Sequence, residues 1–96
     1  MDIKTIPDLK KAMIDADIFE KYHLDKIGVY GSFARGEDFN DIDLYIDEDE
    51  PKLDYWAFKE ELTALFGIKV DVMVKPYANP VILYYAEKDM IYVTKD

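Results

Sequence analysis

Apolar residues recur three and four positions apart near the start of the chain, then alternate with polar ones in its middle. Ile6, Leu9, Ala12, Met13 and Ala16 fall on one face of a helix. Thr5 can cap that helix, Asp8 can answer it three residues later, and Pro7 suits the first turn. The spacing predicts a helix from Thr5 to about Phe19 or Lys21. Residues 26–30 read as a short buried strand closed by Gly31, followed by a helical turn over 32–35 and a polar loop over 36–40. Residues 41–47 alternate cleanly, with Ile42, Leu44 and Ile46 on one face and Asp41, Asp43 and Tyr45 on the other. Pro51 opens a second long helix to about Phe66, marked by Leu53, Trp56, Ala57, Glu60 or Glu61, Ala64 and Leu65, and stopped by Gly67. A strand over 68–75 follows, broken by Pro76 to Pro80. A shorter helix over 81–88 offers Ile82, Leu83, Tyr85 and Ala86 for packing, and a last strand over 90–94 sets Ile91 and Val93 on one face.

This order implies an α/β (α+β) fold: a mixed sheet of about four strands flanked by about three main helices. Residues 1–96 are expected to form a single domain, since the chain shows no repeat, linker or low-complexity segment. Half of the residues are apolar, so a core can form without staples, and the absence of cysteine excludes disulfides, thiolate metal sites and cysteine nucleophiles. No apolar run approaches the ~20 residues that span a bilayer. Met1-Asp2-Ile3-Lys4 carries no positive patch ahead of an apolar core. A cytoplasmic protein without a membrane partner is the expectation. The net charge of −9 would repel a polyanion, so no direct contact with nucleic acid is expected either. The run Asp47-Glu48-Asp49-Glu50 reads most simply as a solvated loop, and more specifically as a surface complementary to a basic protein.

The sharper chemistry lies in three aspartates. Asp41 and Asp43, two apart on a strand, point together, and Asp71 can join them if its strand is a neighbour. Two bare carboxylates at ~4 Å repel by ~4 kcal/mol at an effective dielectric near 20. A cluster of three therefore calls for a cation, and oxygen ligands favour a hard divalent ion such as Mg²⁺. An isolated Asp-x-Asp would more often be a solvated strand face. The preceding Gly31-Ser32 changes that balance, because a glycine turn after a strand and a serine at a helix start can hold a phosphate. Arg35 could add a bidentate phosphate contact, or serve as a salt-bridged surface residue.

Taken together, Gly31-Ser32-Phe33-Ala34-Arg35-Gly36, Asp41-Ile42-Asp43-Leu44 and the later Asp71 resemble the DNA polymerase β-like nucleotidyltransferase superfamily. Within it they look like the minimal nucleotidyltransferases, the antitoxins encoded beside HEPN-domain toxins. The resemblance covers about residues 5 to 94. Asn40 stands where the family often has serine, and the eight residues from Phe33 to Asn40 make a shorter link than usual. The resemblance implies that Gly31, Ser32 and Arg35 bind the nucleotide, while Asp41, Asp43 and Asp71 are catalytic and hold two Mg²⁺ ions. It also implies that ATP is the substrate and that AMP passes to a tyrosine of a HEPN ribonuclease toxin, in a hetero-oligomer. Rival readings are a non-enzymatic antitoxin that acts by occlusion, a small-molecule nucleotidyltransferase subunit, or an interaction module with a fortuitous motif. Candidate apolar patches for a partner are Tyr55, Trp56 and Phe58, and the segment around Tyr84 and Tyr92; His23 reads as a surface residue.

Overall fold

The computed structural model describes residues 3–96. Helix α1 (Ile6–Asp15) begins in the expected capping box. The Thr5 hydroxyl accepts from the Asp8 backbone N–H at 3.3 Å, and the Asp8 carboxylate accepts from Thr5 and Lys4 N–H groups at 3.1 Å each. The helix stops earlier than its periodicity predicts. Asp17 takes a left-handed conformation with φ 61°, and a separate short helix α2 (Ile18–Lys21) follows. The reason is rotational. At ~100° per residue an unbroken helix would carry Ile18 to the side opposite Leu9, yet Leu9, Ile18 and Phe19 are all buried. The break at Asp17, a residue type that tolerates this backbone region, turns both side chains inward.

The remaining elements are β1 (Lys26–Tyr30), α3 (Gly31–Ala34), β2 (Asp41–Ile46), α4 (Tyr55–Phe66), β3 (Lys69–Val74), a 3₁₀ turn (Lys75–Tyr77), α5 (Pro80–Glu87) and β4 (Ile91–Thr94). Four strands form one mixed sheet in the order β3-β2-β1-β4. β1 pairs antiparallel with both β2 and β4, while β2 and β3, joined through α4, are parallel. Among the described residues no helix is long and apolar enough to cross a membrane.

One face of the sheet is the core. Ile27, Val29, Ile42, Leu44, Ile46 and Val70 are fully buried, against Leu9, Met13 and Ile18 from the N-terminal helices and Phe58 and Leu62 from α4. Burial of each such side chain stabilises the fold by about 1.5–3 kcal/mol. Helix α4 starts later than expected, at the Asp54 cap, whose carboxylate accepts from the Ala57 N–H at 3.1 Å. Its inward stripe is Phe58, Leu62 and Phe66, not the Trp56–Ala57–Ala64 side read from sequence. Phe58 is therefore core and unavailable to a partner, whereas Trp56 is 68% exposed. The three large apolar residues at a spacing of four outcompete the flanking set for the core. In α5 only Ala86 is buried, and Ile82 and Tyr85 face outward.

The second face carries Tyr30, Asp43, Tyr45 and Asp71, as strand alternation requires. Met90 lies in the hollow left by Gly28, where an added Cβ would come within 2.6 Å of its sulfur.

Candidate active site

β1 ends at Tyr30, and the chain enters α3 through Gly31 with φ 77°. The register sets Tyr30 beside Asp43 on β2 and Asp43 beside Asp71 on β3. Glycine is required at position 31 for its backbone conformation and for a second reason. A Cβ there would lie 2.4 Å from Asp43 Oδ2. The phosphate-type turn and the carboxylates are thus in van der Waals contact.

Asp41, Asp43 and Asp71 each offer one carboxylate oxygen to a cluster in which these atoms lie within 4.8 Å of one another. All three side chains are half-buried, and they share the face opposite Val70 and Val74. Burial, then the charges of Asp41 and Asp71, push the Asp43 carboxyl up from an ordinary 3.8 to about 6, with Lys69 and Arg35 pulling the other way. The neighbouring Tyr30 hydroxyl is pushed up to about 12, by burial first and then by the three carboxylates. It stays protonated and adds no further negative charge. Asp71 is flanked by two ammonium groups, Lys59 Nζ at 4.0 Å and Lys69 Nζ at 3.9 Å from its Oδ1. Neither lysine was singled out from sequence. Lys69 could have been, since it lies two residues before Asp71 on the same strand face; Lys59 arrives from α4 and leaves no local signal.

Ser32 is half-buried in the first turn of α3. Arg35, one turn on, donates to Asp89 Oδ2 at 2.8 Å and to Glu37 Oε1 at 3.0 Å. Its guanidinium is thus engaged in ion pairs that tie α3 to the end of α5. With Tyr30, Gly31, Ile82 and Tyr85 it also lines a cavity of about 310 Å³. The oxygen-only donor set and the repulsion felt by Asp43 fit a hard divalent cation.

A mixed sheet that brings a glycine-serine turn against three carboxylates is the framework of a nucleotidyl-transferring enzyme. Residues 10–93 match the family model described as "Nucleotidyltransferase domain", and the chain belongs to that family. It is a nucleotidyltransferase enzyme. Among its relatives is "Putative protein adenylyltransferase MJ0128" of Methanocaldococcus jannaschii, 35% identical over 98 residues, which cover 95% of this chain and all of the relative. Another is "Protein adenylyltransferase MntA" of Thermococcus cleftensis, 31% identical over 81 residues, covering 80% of this chain and 82% of the relative. A solved chain described as a "putative minimal nucleotidyltransferase" superposes with a TM-score of 0.65 over 95% of both chains at 24% identity, which establishes the likeness of fold.

Proposed function

We propose that residues 1–96 act as one domain that transfers AMP from ATP to a tyrosine hydroxyl of a HEPN-domain toxin, and so serve as its antitoxin in the cytoplasm. The observation that carries this reading is the meeting of Asp41, Asp43 and Asp71 against the Gly31 turn. The names of the relatives, protein adenylyltransferases, support a protein acceptor.

In this reading the Gly31-Ser32 turn, with Arg35 nearby, orients the triphosphate so that its α-phosphorus lies over the carboxylates. The acceptor hydroxyl forms a bond to the α-phosphorus, and the bond from that phosphorus to the β-bridging oxygen breaks. Pyrophosphate leaves, and the hydroxyl proton passes to a carboxylate oxygen of Asp71. Two Mg²⁺ ions held by Asp41, Asp43 and Asp71 would neutralise the phosphates and lower the pKa of the attacking hydroxyl. Tyr30, kept neutral, leaves the negative charge of the site to the carboxylates alone. The acceptor is supplied by the partner protein in a hetero-oligomer.

The test is incubation of the chain with its co-encoded partner, Mg²⁺ and ATP labelled at the α-phosphate. The label should appear on a partner tyrosine, with a mass gain of one or more AMP units. Asp41→Ala with Asp43→Ala should stop transfer and leave complex formation largely intact. Full protection from the toxin by that double variant, with no mass gain in the wild type, would establish occlusion instead.

A further inference from the structure

The glycine turn and the carboxylates follow one another across the sheet. Gly31 leaves the end of β1, Asp43 lies on β2, and Asp71 pairs with Asp43 from β3, the outer strand. Beyond Asp71 stands the first half of α4. Lys59, with 27% of its side chain exposed, is the most sheltered lysine among the ion pairs of the described residues, and its Nζ lies 4.0 Å from Asp71 Oδ1. The same Nζ is 5.9 Å from the centre of the Trp56 ring, inside the distance at which an aromatic face attracts a cation. The indole centre is therefore within about 10 Å of Asp71 Oδ1. Tyr55 meets the indole edge to face, with centres 5.1 Å apart and planes at 84°. Its own hydroxyl donates to the Val72 carbonyl at 3.3 Å. The indole is thus tied to β3 while Trp56 stays 68% exposed. Single exposed apolar residues are ordinary, but this one stands a lysine away from a carboxylate of the site.

Resting on the transfer reading above, we infer that Trp56 and Lys59 seat the acceptor: a phenol ring lies against the indole, and the Lys59 ammonium faces the attacking hydroxyl oxygen. The direction of attack selects that occupant. Attacking and leaving oxygens stand roughly in line about the phosphorus. Pyrophosphate departs on the side of the Gly31-Ser32 turn, so the hydroxyl arrives from the other side, past Asp71 and over the outer edge of β3. The nucleotide's 5′ oxygen stays bonded to the phosphorus and projects sideways, which carries ribose and base off this line. Beside the path of the acceptor stand one exposed aromatic ring and one ammonium group. The ring suits a phenol, by offset or edge-to-face contact with centres about 4.5–7 Å apart; a serine or threonine hydroxyl brings no ring to place there. The ammonium opposes the negative charge that grows on the phenol oxygen as its proton passes to Asp71.

Trp56 is the only tryptophan of the chain, so its fluorescence, excited beyond the tyrosine absorption, reads the seat directly. The full chain with Mg²⁺ and the non-cleavable α,β-methylene analogue of ATP is titrated with a short tyrosine peptide and, separately, with its serine counterpart. A saturable change is expected with the tyrosine peptide alone. In transfer from labelled ATP to the co-encoded partner, Trp56→Ala should lower kcat/KM for the partner about tenfold, the scale of losing one aromatic pair, and leave KM for ATP unchanged. Trp56→Phe should keep most of the activity. Lys59→Ala should lower kcat with KM for ATP unchanged, and Lys59→Arg should recover most of it. No saturable change, or an equal response to the serine peptide, would overturn the inference. So would wild-type kinetics in both alanine variants, or a raised KM for ATP in Trp56→Ala, the mark of a ring that stacks on the nucleobase. Transfer by the wild type alongside any of these results defeats this inference alone. A tyrosine-specific fluorescence change without transfer would uphold the seat and defeat the catalytic reading alone.

Discussion

Replacing Asp43 with asparagine should stabilise the metal-free protein while removing its activity. The folded chain holds the Asp43 proton up to about pH 6, whereas an unperturbed aspartate releases it near 3.8. Between those values the folded state binds more protons than the unfolded one, so stability falls as pH rises through that window and stays reduced above it. At about 1.36 kcal/mol per pH unit the displacement corresponds to about 3 kcal/mol. Half of the carboxyl faces solvent, and screening reduces this to about 1–2 kcal/mol. For a domain of this size each kcal/mol moves the melting temperature by about 4–8 °C. Asp43→Asn, nearly isosteric, should therefore melt about 5–10 °C higher than wild type in chelator near neutral pH, followed by circular dichroism. The advantage should shrink by at least half near pH 4.5, where the wild-type group is mostly protonated. Mg²⁺ should raise the melting temperature of the wild type and do little for the variant, because only the native carboxylate cluster binds it. A variant less stable than wild type at neutral pH, or equally advantaged at both pH values, would refute the electrostatic account of the site.

Gly31→Ala should remove transfer activity and destabilise the fold by about 1–3 kcal/mol, because the new Cβ would lie 2.4 Å from Asp43 Oδ2 on a backbone held at φ 77°. Chemical denaturation gives the stability, and transfer from labelled ATP gives the activity; an active variant would separate the turn from the carboxylates. Asp54→Ala removes the cap that accepts from the Ala57 N–H and should cost about 1 kcal/mol without altering ATP binding. A loss well beyond that would show that the loop from β2 to α4 depends on Asp54 for more than the cap.

The carboxylate face was legible because strand alternation is strictly two-fold. Asp41 and Asp43 had to share a side, and Ile42, Leu44 and Ile46 declared which side was core. Asp71 was legible only conditionally. Its approach to Asp43 depends on the parallel pairing of β2 with β3 through α4, which alternation suggests but does not dictate. The end of α1 was misread because helical periodicity continues to Ala16, while the need to bury Ile18 and Phe19 is a tertiary demand. The rotation of α4 was misread for a related reason. Its sequence is apolar on more than one side, and contact with the sheet selects Phe58 and Leu62. Nothing local announces that Arg35 pairs with Asp89, 54 residues away, or that Lys59 on α4 reaches within 4.0 Å of Asp71.

β2 has one antiparallel neighbour and one parallel neighbour, and the site depends on both. The antiparallel neighbour ends at Tyr30, so its exit turn falls beside Asp43; the parallel neighbour carries Asp71 to the same level. Three half-buried carboxylates at this separation would relax apart if the strands were free to slide. They are not, because a slip of one residue in β3 would exchange Asp71 for Val70 or Val72 and drive a carboxylate into the core face. The apolar side of the same strands, with Ile42 opposite Val70 and Ile46 opposite Val74, makes that slip costly. The core thus maintains the repulsion that raises Asp43 and readies the cluster for a cation. The residues that hold the chemistry in place lie on the core face of the sheet, behind the carboxylates.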